Sequence, residues 1–211
     1  MKRIVFYLFG LLLPCLLLIN CKKSDHVGPA PQNVQNLKVV AGYGEVFFSW
    51  TTPSDSNFLY VSISYTDGSG KFIEQKFSRH NATATIGGLL TKPYMFMVKT
   101  VTSLGAVSTA QSITASPQPP AYIIVAQTIS IAPIKAAAKL KWTNTTGKTL
   151  GIQIQYIDST GTTQIIGTST KKNIDSTIIN KLKPVSIKFI VTFSDSSGKR
   201  SDPMILTTKP L

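Results

Sequence analysis

The 211-residue chain carries 22 Lys and Arg against 9 Asp and Glu, a formal net charge of +13, although charged residues make up only 15% of it. That length accommodates one or two domains. With nine scattered carboxylates, two His (His26 and His80) and two Cys (Cys15 and Cys21), the chain offers no zinc spacing and no convergent set of titratable groups. Gly42-Tyr43-Gly44 lacks the further glycines and the helix of a phosphate loop. No enzymatic activity, cofactor or metal is therefore expected.

In chain order, Lys2-Arg3 precedes the apolar run 4–19. A basic start before a short apolar stretch predicts a signal peptide over residues 1–20; a transmembrane helix needs about 20 apolar residues. The run ends in Leu18-Ile19-Asn20-Cys21, which resembles the lipobox of bacterial lipoproteins. That resemblance implies cleavage before Cys21 and attachment of fatty acyl chains such as palmitate to it. Each buried CH₂ then adds about 0.8 kcal/mol of membrane affinity. No Cys would remain for an intrachain disulfide. The following Lys22-Lys23-Ser24-Asp25 resembles the surface-export signals of Bacteroidota lipoproteins. Residues 21–35, with Gly28, Pro29 and Pro31 and no periodicity, read as a flexible tether.

Two similar stretches follow. Glu45–Tyr65 runs apolar strand, Trp50, polar turn, alternating strand, Tyr65; Lys139–Tyr156 repeats this with Trp142 and Tyr156. Trp142 follows Trp50 by 92 positions, while Tyr156 follows Tyr65, and Pro184 follows Pro93, by 91. A repeat of that length predicts two copies of one domain: residues 36–116 and 122–211. Val61, Ile63 and Tyr65 alternate with serines, as in a half-buried strand, and so do Ile152, Ile154 and Tyr156 with glutamines. Asp67-Gly68-Ser69-Gly70 and Asp158-Ser159-Thr160-Gly161 are matching hairpin turns. Residues 124–131 read as the opening strand of the second unit. About seven short strands per unit predict an all-β chain of two tandem β-sandwiches. Between them, the Pro-rich linker 117–121 favours polyproline II and a semi-rigid spacer, making a rod more readily than a cleft.

Ser49-Trp50-Thr51-Thr52-Pro53, the Tyr65 strand and the stretch Leu90 to Val98 resemble a fibronectin type III domain, an immunoglobulin-like sandwich. The resemblance implies that Trp50 packs between the sheets and that Tyr94 makes a corner bond to upstream backbone. The second unit keeps Trp142 and Pro184 but has Ile187 in place of that Tyr, so it is a divergent copy. Behind a lipoprotein signal, the tandem is similar to surface lipoproteins of Bacteroidota, often encoded with glycan-uptake systems.

Candidate contact residues follow from position. Tyr43, Phe58 and Tyr60 lie in or beside loops of the first unit, where aromatics stack on sugars or anchor a protein partner; packing within the loops is the alternative. The second unit holds a net +8 between Tyr122 and Leu211, against +2 between Asn33 and Gln118. Lys139 and Lys141 alternate with apolar residues and form an outward stripe, either a solubilising face or a contact for polyanions. Asp158-Ser159-Thr160 and Asp175-Ser176-Thr177 resemble Bacteroidota O-glycosylation sites, which makes Ser159 and Ser176 candidates for modification. Export, and the absence of interleaved exposed aromatics, speak against nucleic acid. The expected function is a non-catalytic, membrane-anchored outer-membrane or cell-surface module that binds a glycan or serves as a spacer, accessory to glycan uptake. The alternative is a structural or adhesion protein that pairs with another surface protein.

Overall fold

The computed structural model describes residues 28–55 and 57–211; the expected signal peptide, Cys21 and most of the tether lie outside the described residues. The first unit contains β1 (Gln35–Gly42), β2 (Glu45–Thr51), β3 (Phe58–Thr66), β4 (Phe72–Ser78), β5 (Thr83–Gly87), β6 (Tyr94–Thr102) and β7 (Gln111–Ala115). They form a three-stranded sheet, β1-β2-β5, and a four-stranded sheet, β4-β3-β6-β7. The second unit contains α1 (Ala121–Ala126), then β8 (Ser130–Ile134), β9 (Ala137–Thr143), β10 (Leu150–Ile157), β11 (Thr163–Thr170), β12 (Ile174–Asn180), β13 (Ile187–Ser194) and β14 (Met204–Thr208). Its sheets, β8-β9-β12 and β11-β10-β13-β14, repeat the first pair strand for strand. All pairings between named strands are antiparallel. The chain is thus two tandem fibronectin type III-like sandwiches.

Alternation decides which side chains enter each core. β2 buries Val46, Phe48 and Trp50 and turns Phe47 and Ser49 outward; β6 buries Tyr94, Phe96 and Val98 against them. Phe48 meets Phe96 edge-on at 5.0 Å. Trp50 is 5% exposed and Trp142 1%, so each sandwich closes around its own indole. Trp50 packs on Phe77 at 6.4 Å and Trp142 on Phe193 at 6.2 Å, both in edge geometry. Burying an aromatic of this size removes 150–250 Å² from water, which dominates the energetics of a small core. The corner bond is present: the Leu90 N–H donates to Tyr94 Oη at 3.0 Å. Ile187 at the matching place is simply buried.

Three expectations need correction. The apolar stretch after Pro120 is a helix, and the second unit's first strand begins only at Ser130. Ala121, Tyr122, Val125 and Ala126 are buried and lie on one helical face, so tertiary burial overrides the β-branched preference of Ile123-Ile124-Val125. The tether ends earlier than expected. Val34 is 2% exposed in the first core, and the Gln32 carbonyl accepts from Thr100 Oγ1 at 2.8 Å. The linker, expected as a semi-rigid spacer, is instead built into the first unit, because Pro117 and Pro120 are buried and Gln118 is hydrogen-bonded to the first unit on both sides of its backbone.

Candidate functional site

The two sandwiches meet at one pole of the first. The turn between β1 and β2 presents Tyr43 and Gly44 to the linker. Gly44 N–H donates to the Gln118 carbonyl at 2.9 Å, and Gln118 N–H donates to Gly42 at 2.9 Å. Gly44 has φ +66° and a Cβ there would lie 3.3 Å from Pro120, so both its conformation and its contact favour glycine. Its carbonyl accepts from Leu89 N–H at 2.8 Å, drawing the turn after β5 into the same pole.

Side chains close the joint on either flank. Lys148, in the loop before β10, forms an ion pair with Glu45 of β2 and stands 5.7 Å over the Phe47 ring. Glu45 is 16% exposed and Lys148 43%, so the pair is partly shielded from solvent. On the other flank Lys199 Nζ donates to the Gly88 carbonyl at 2.6 Å. Lys199 is placed by its turn: Asp195 Oδ1 accepts from Ser197 N–H, Ser197 Oγ and Lys199 N–H at 2.7–3.0 Å.

These contacts frame a cavity of about 490 Å³ lined by Tyr43, Glu45, Leu89, Tyr122, Lys148, Asp195 and Lys199, among others. The expectation of a rod without a cleft is therefore corrected: the joint is bonded, and it encloses a recess of ligand size. Tyr122, on α1, has its phenol pKa raised by burial and by the Asp195 carboxylate. It stays a neutral hydroxyl at physiological pH. Beyond Gly88 and Lys199 a second recess of about 460 Å³ is lined by Tyr65, Asp67, Leu90 and Tyr94. Burial, Asp67 and Tyr94 raise the Tyr65 pKa as well. The site thus offers phenol rings and hydroxyls, two ammoniums and two carboxylates of balanced charge. Asp195 is held by its turn and Glu45 by its ion pair, so neither is poised as a general base. No group of three or more metal-ligating side chains occurs among the described residues.

The expected contact residues fall in different places. Tyr43 is half-buried, packs against the second core and lines the joint, rather than standing at a free loop. Phe58 is 1% exposed in the first core; it begins β3 instead of lying in the preceding loop, and is withdrawn as a surface contact. Tyr60 is half-buried on the outer face of β3, with Lys76 Nζ 5.1 Å above its ring. Lys139 and Lys141 are exposed on β9, with Ile178 and Ser176 of β12 opposite them. Ser176 is exposed there, and Ser159 is exposed in the β10–β11 turn. Cys21 lies outside the described residues. Of the expected residues, the structure places Lys139, Lys141 and Ser176 on one exposed face of the β9–β12 pair and leaves Tyr43, Phe58, Tyr60 and Ser159 elsewhere. The joint's Glu45, Tyr122, Lys148 and Lys199 were not anticipated. One signal was available: the spacing of Ala121, Tyr122, Val125 and Ala126 is helical.

Residues 31–117 match a family described as a domain of unknown function (DUF4959). No curated protein matches the chain. Among solved structures, a two-fibronectin-type-III segment of chicken tenascin is 18% identical, with a TM-score of 0.41 over 84% of this chain and 99% of its own. A SusE-like protein is 17% identical with a TM-score of 0.38, over 44% of this chain and 32% of its own. A fibronectin type III domain of human collagen alpha-1(XX) is 21% identical with a TM-score of 0.38, over 44% of this chain and 90% of its own.

Proposed function

We propose that the protein is a non-catalytic surface lipoprotein, anchored to the bacterial outer membrane through acylated Cys21. Its two sandwiches act as one unit that holds a glycan in the cleft of their joint, as an accessory to glycan uptake. The observation that carries this reading is the bonded joint, in which Gly44 N–H donates to Gln118 and Gln118 N–H donates to Gly42, while Glu45–Lys148 and Lys199–Gly88 close the flanks. A fixed recess with rings and paired charges loses little entropy on binding a polyhydroxylated ligand. The basic start, the short apolar run and Cys21 support the anchor.

A glycan-array screen followed by calorimetry tests the cleft. Binding abolished by Tyr122→Ala, with the fold intact by circular dichroism, is the expected result. A protein captured from surface extracts in high salt, with no glycan bound, would favour an adhesion role instead. Intact mass of the membrane-extracted protein tests the anchor: it should begin at Cys21 and carry acyl chains.

A further inference from the structure

The pole of the second sandwich around Ala136, Leu182 and Leu211 is the counterpart of the pole at which the first one docks. Ala136 stands 6 residues before Trp142, as Gly44 stands 6 before Trp50. Ala136 N–H donates to the Leu211 carbonyl at 2.9 Å, matching Gly44 and Gln118, and Leu182 N–H donates to Ala136 at 2.9 Å, matching Leu89 and Gly44. The side chains do not match. Tyr43, Glu45 and Gly88 of the docking pole become Lys135, Ala137 and Lys181. Glu45 and Gly88 each accept a contact across the joint, and this pole has neither, so it lacks the side chains of the docking pole.

It carries cations instead. Lys135, Lys181, Lys183 and Lys209 are all exposed. The bonds among Ala136, Leu182 and Leu211 draw their backbones together. The one carboxylate in the neighbouring β10–β11 turn, Asp158, is occupied by Thr160, Thr162 and Gln164. Lys181 has φ +62°, where the docking pole has Gly88 at φ +74°. A left-handed lysine is strained where glycine is not. A strained residue that places a charge at a tip points to use of that charge.

We propose that this pole is a contact site for an anionic polysaccharide. Several ammoniums spread over turn tips, without arginine's bidentate fork, suit the repeated carboxylates or sulfates of an extended polymer more than one enclosed anion. This inference is independent of the cleft.

The test uses the full chain in a non-ionic detergent, with heparin and polygalacturonate as probes. Lys181→Gly should melt no lower than the wild type, because it relieves the left-handed strain, yet bind each probe about fivefold more weakly. Adding Lys135→Ser and Lys183→Ser should bring the loss to roughly a hundredfold, with weaker salt dependence. Lys139→Ser/Lys141→Ser should bind like the wild type. Unchanged binding by the triple variant, or binding lost instead in the Lys139/Lys141 variant, would overturn the proposal. So would retention on phosphatidylglycerol vesicles without binding to either polysaccharide, which would make the partner a lipid surface.

Discussion

The matched pair Gly44→Ala and Ala136→Gly separates backbone strain from contact at the joint. Both positions adopt positive φ, +66° and +52°. In Gly44→Ala the left-handed conformation costs about 1–2 kcal/mol. The new Cβ would also lie 3.3 Å from Pro120 Cα, a backbone atom that cannot rotate away. Added together, about 2 kcal/mol is lost, roughly 4–8 °C in melting temperature for a chain of this size. Ala136→Gly removes the same conformational cost and is offset by roughly 0.5–1 kcal/mol of glycine entropy. A net gain of up to about 1 kcal/mol results, roughly 2–4 °C. Calorimetric melting measures both, and hydrogen exchange at the Gly44 and Gln118 amides reports the joint. Those amides should exchange faster in Gly44→Ala alone. A Gly44→Ala protein that melts like the wild type with protected amides would refute the joint geometry. An Ala136→Gly protein that melts several degrees lower would refute the equivalence of the two poles.

Tyr94→Phe should cost about 0.5–1.5 kcal/mol by removing the bond to the Leu90 amide, seen as a lower melting temperature; Ile187 has no such bond to lose. Trp142→Ala should cost roughly 3–5 kcal/mol, enough to unfold the second sandwich, measured by near-ultraviolet circular dichroism. Asp158 is held down to about 2 chiefly by the Thr160 hydroxyl, with Thr160 N–H, Gln164 and Thr162 adding to it. Its folded pKa is depressed, so its contribution is present above the ordinary value of 3.8 and is lost as pH falls through about 2. Carboxyl-resolved NMR titration should place its midpoint near 2, and Asp158→Asn should flatten acid sensitivity in that window. Asp67 is shifted the same way, first by the Ser69 hydroxyl.

The fold was legible because each sandwich writes its core locally. Trp50 and Trp142 announce the repeat, and Tyr94 lies four residues from the amide it bonds. The helix α1 was not legible by residue type, since Ile123, Ile124 and Val125 prefer strands and only burial of one face makes them helical. Phe58 misled because Pro53 and Asp55 mark a loop that ends just before it. The cleft was hidden for a different reason. Its closing contact, Lys199 to Gly88, joins residues 111 positions apart, and no local pattern encodes such a meeting. The repeat places equivalent turns, but only the folded structure shows which pole docks.

Residual dipolar couplings from the two sandwiches in one weakly aligned sample test the bonded joint most directly. A fixed joint predicts that both sets fit a single alignment tensor, with its magnitude reduced for one sandwich once Glu45→Gln and Lys199→Ala open the flanks. Two tensors of different magnitude in the wild-type protein would contradict a fixed joint and, with it, a preformed cleft.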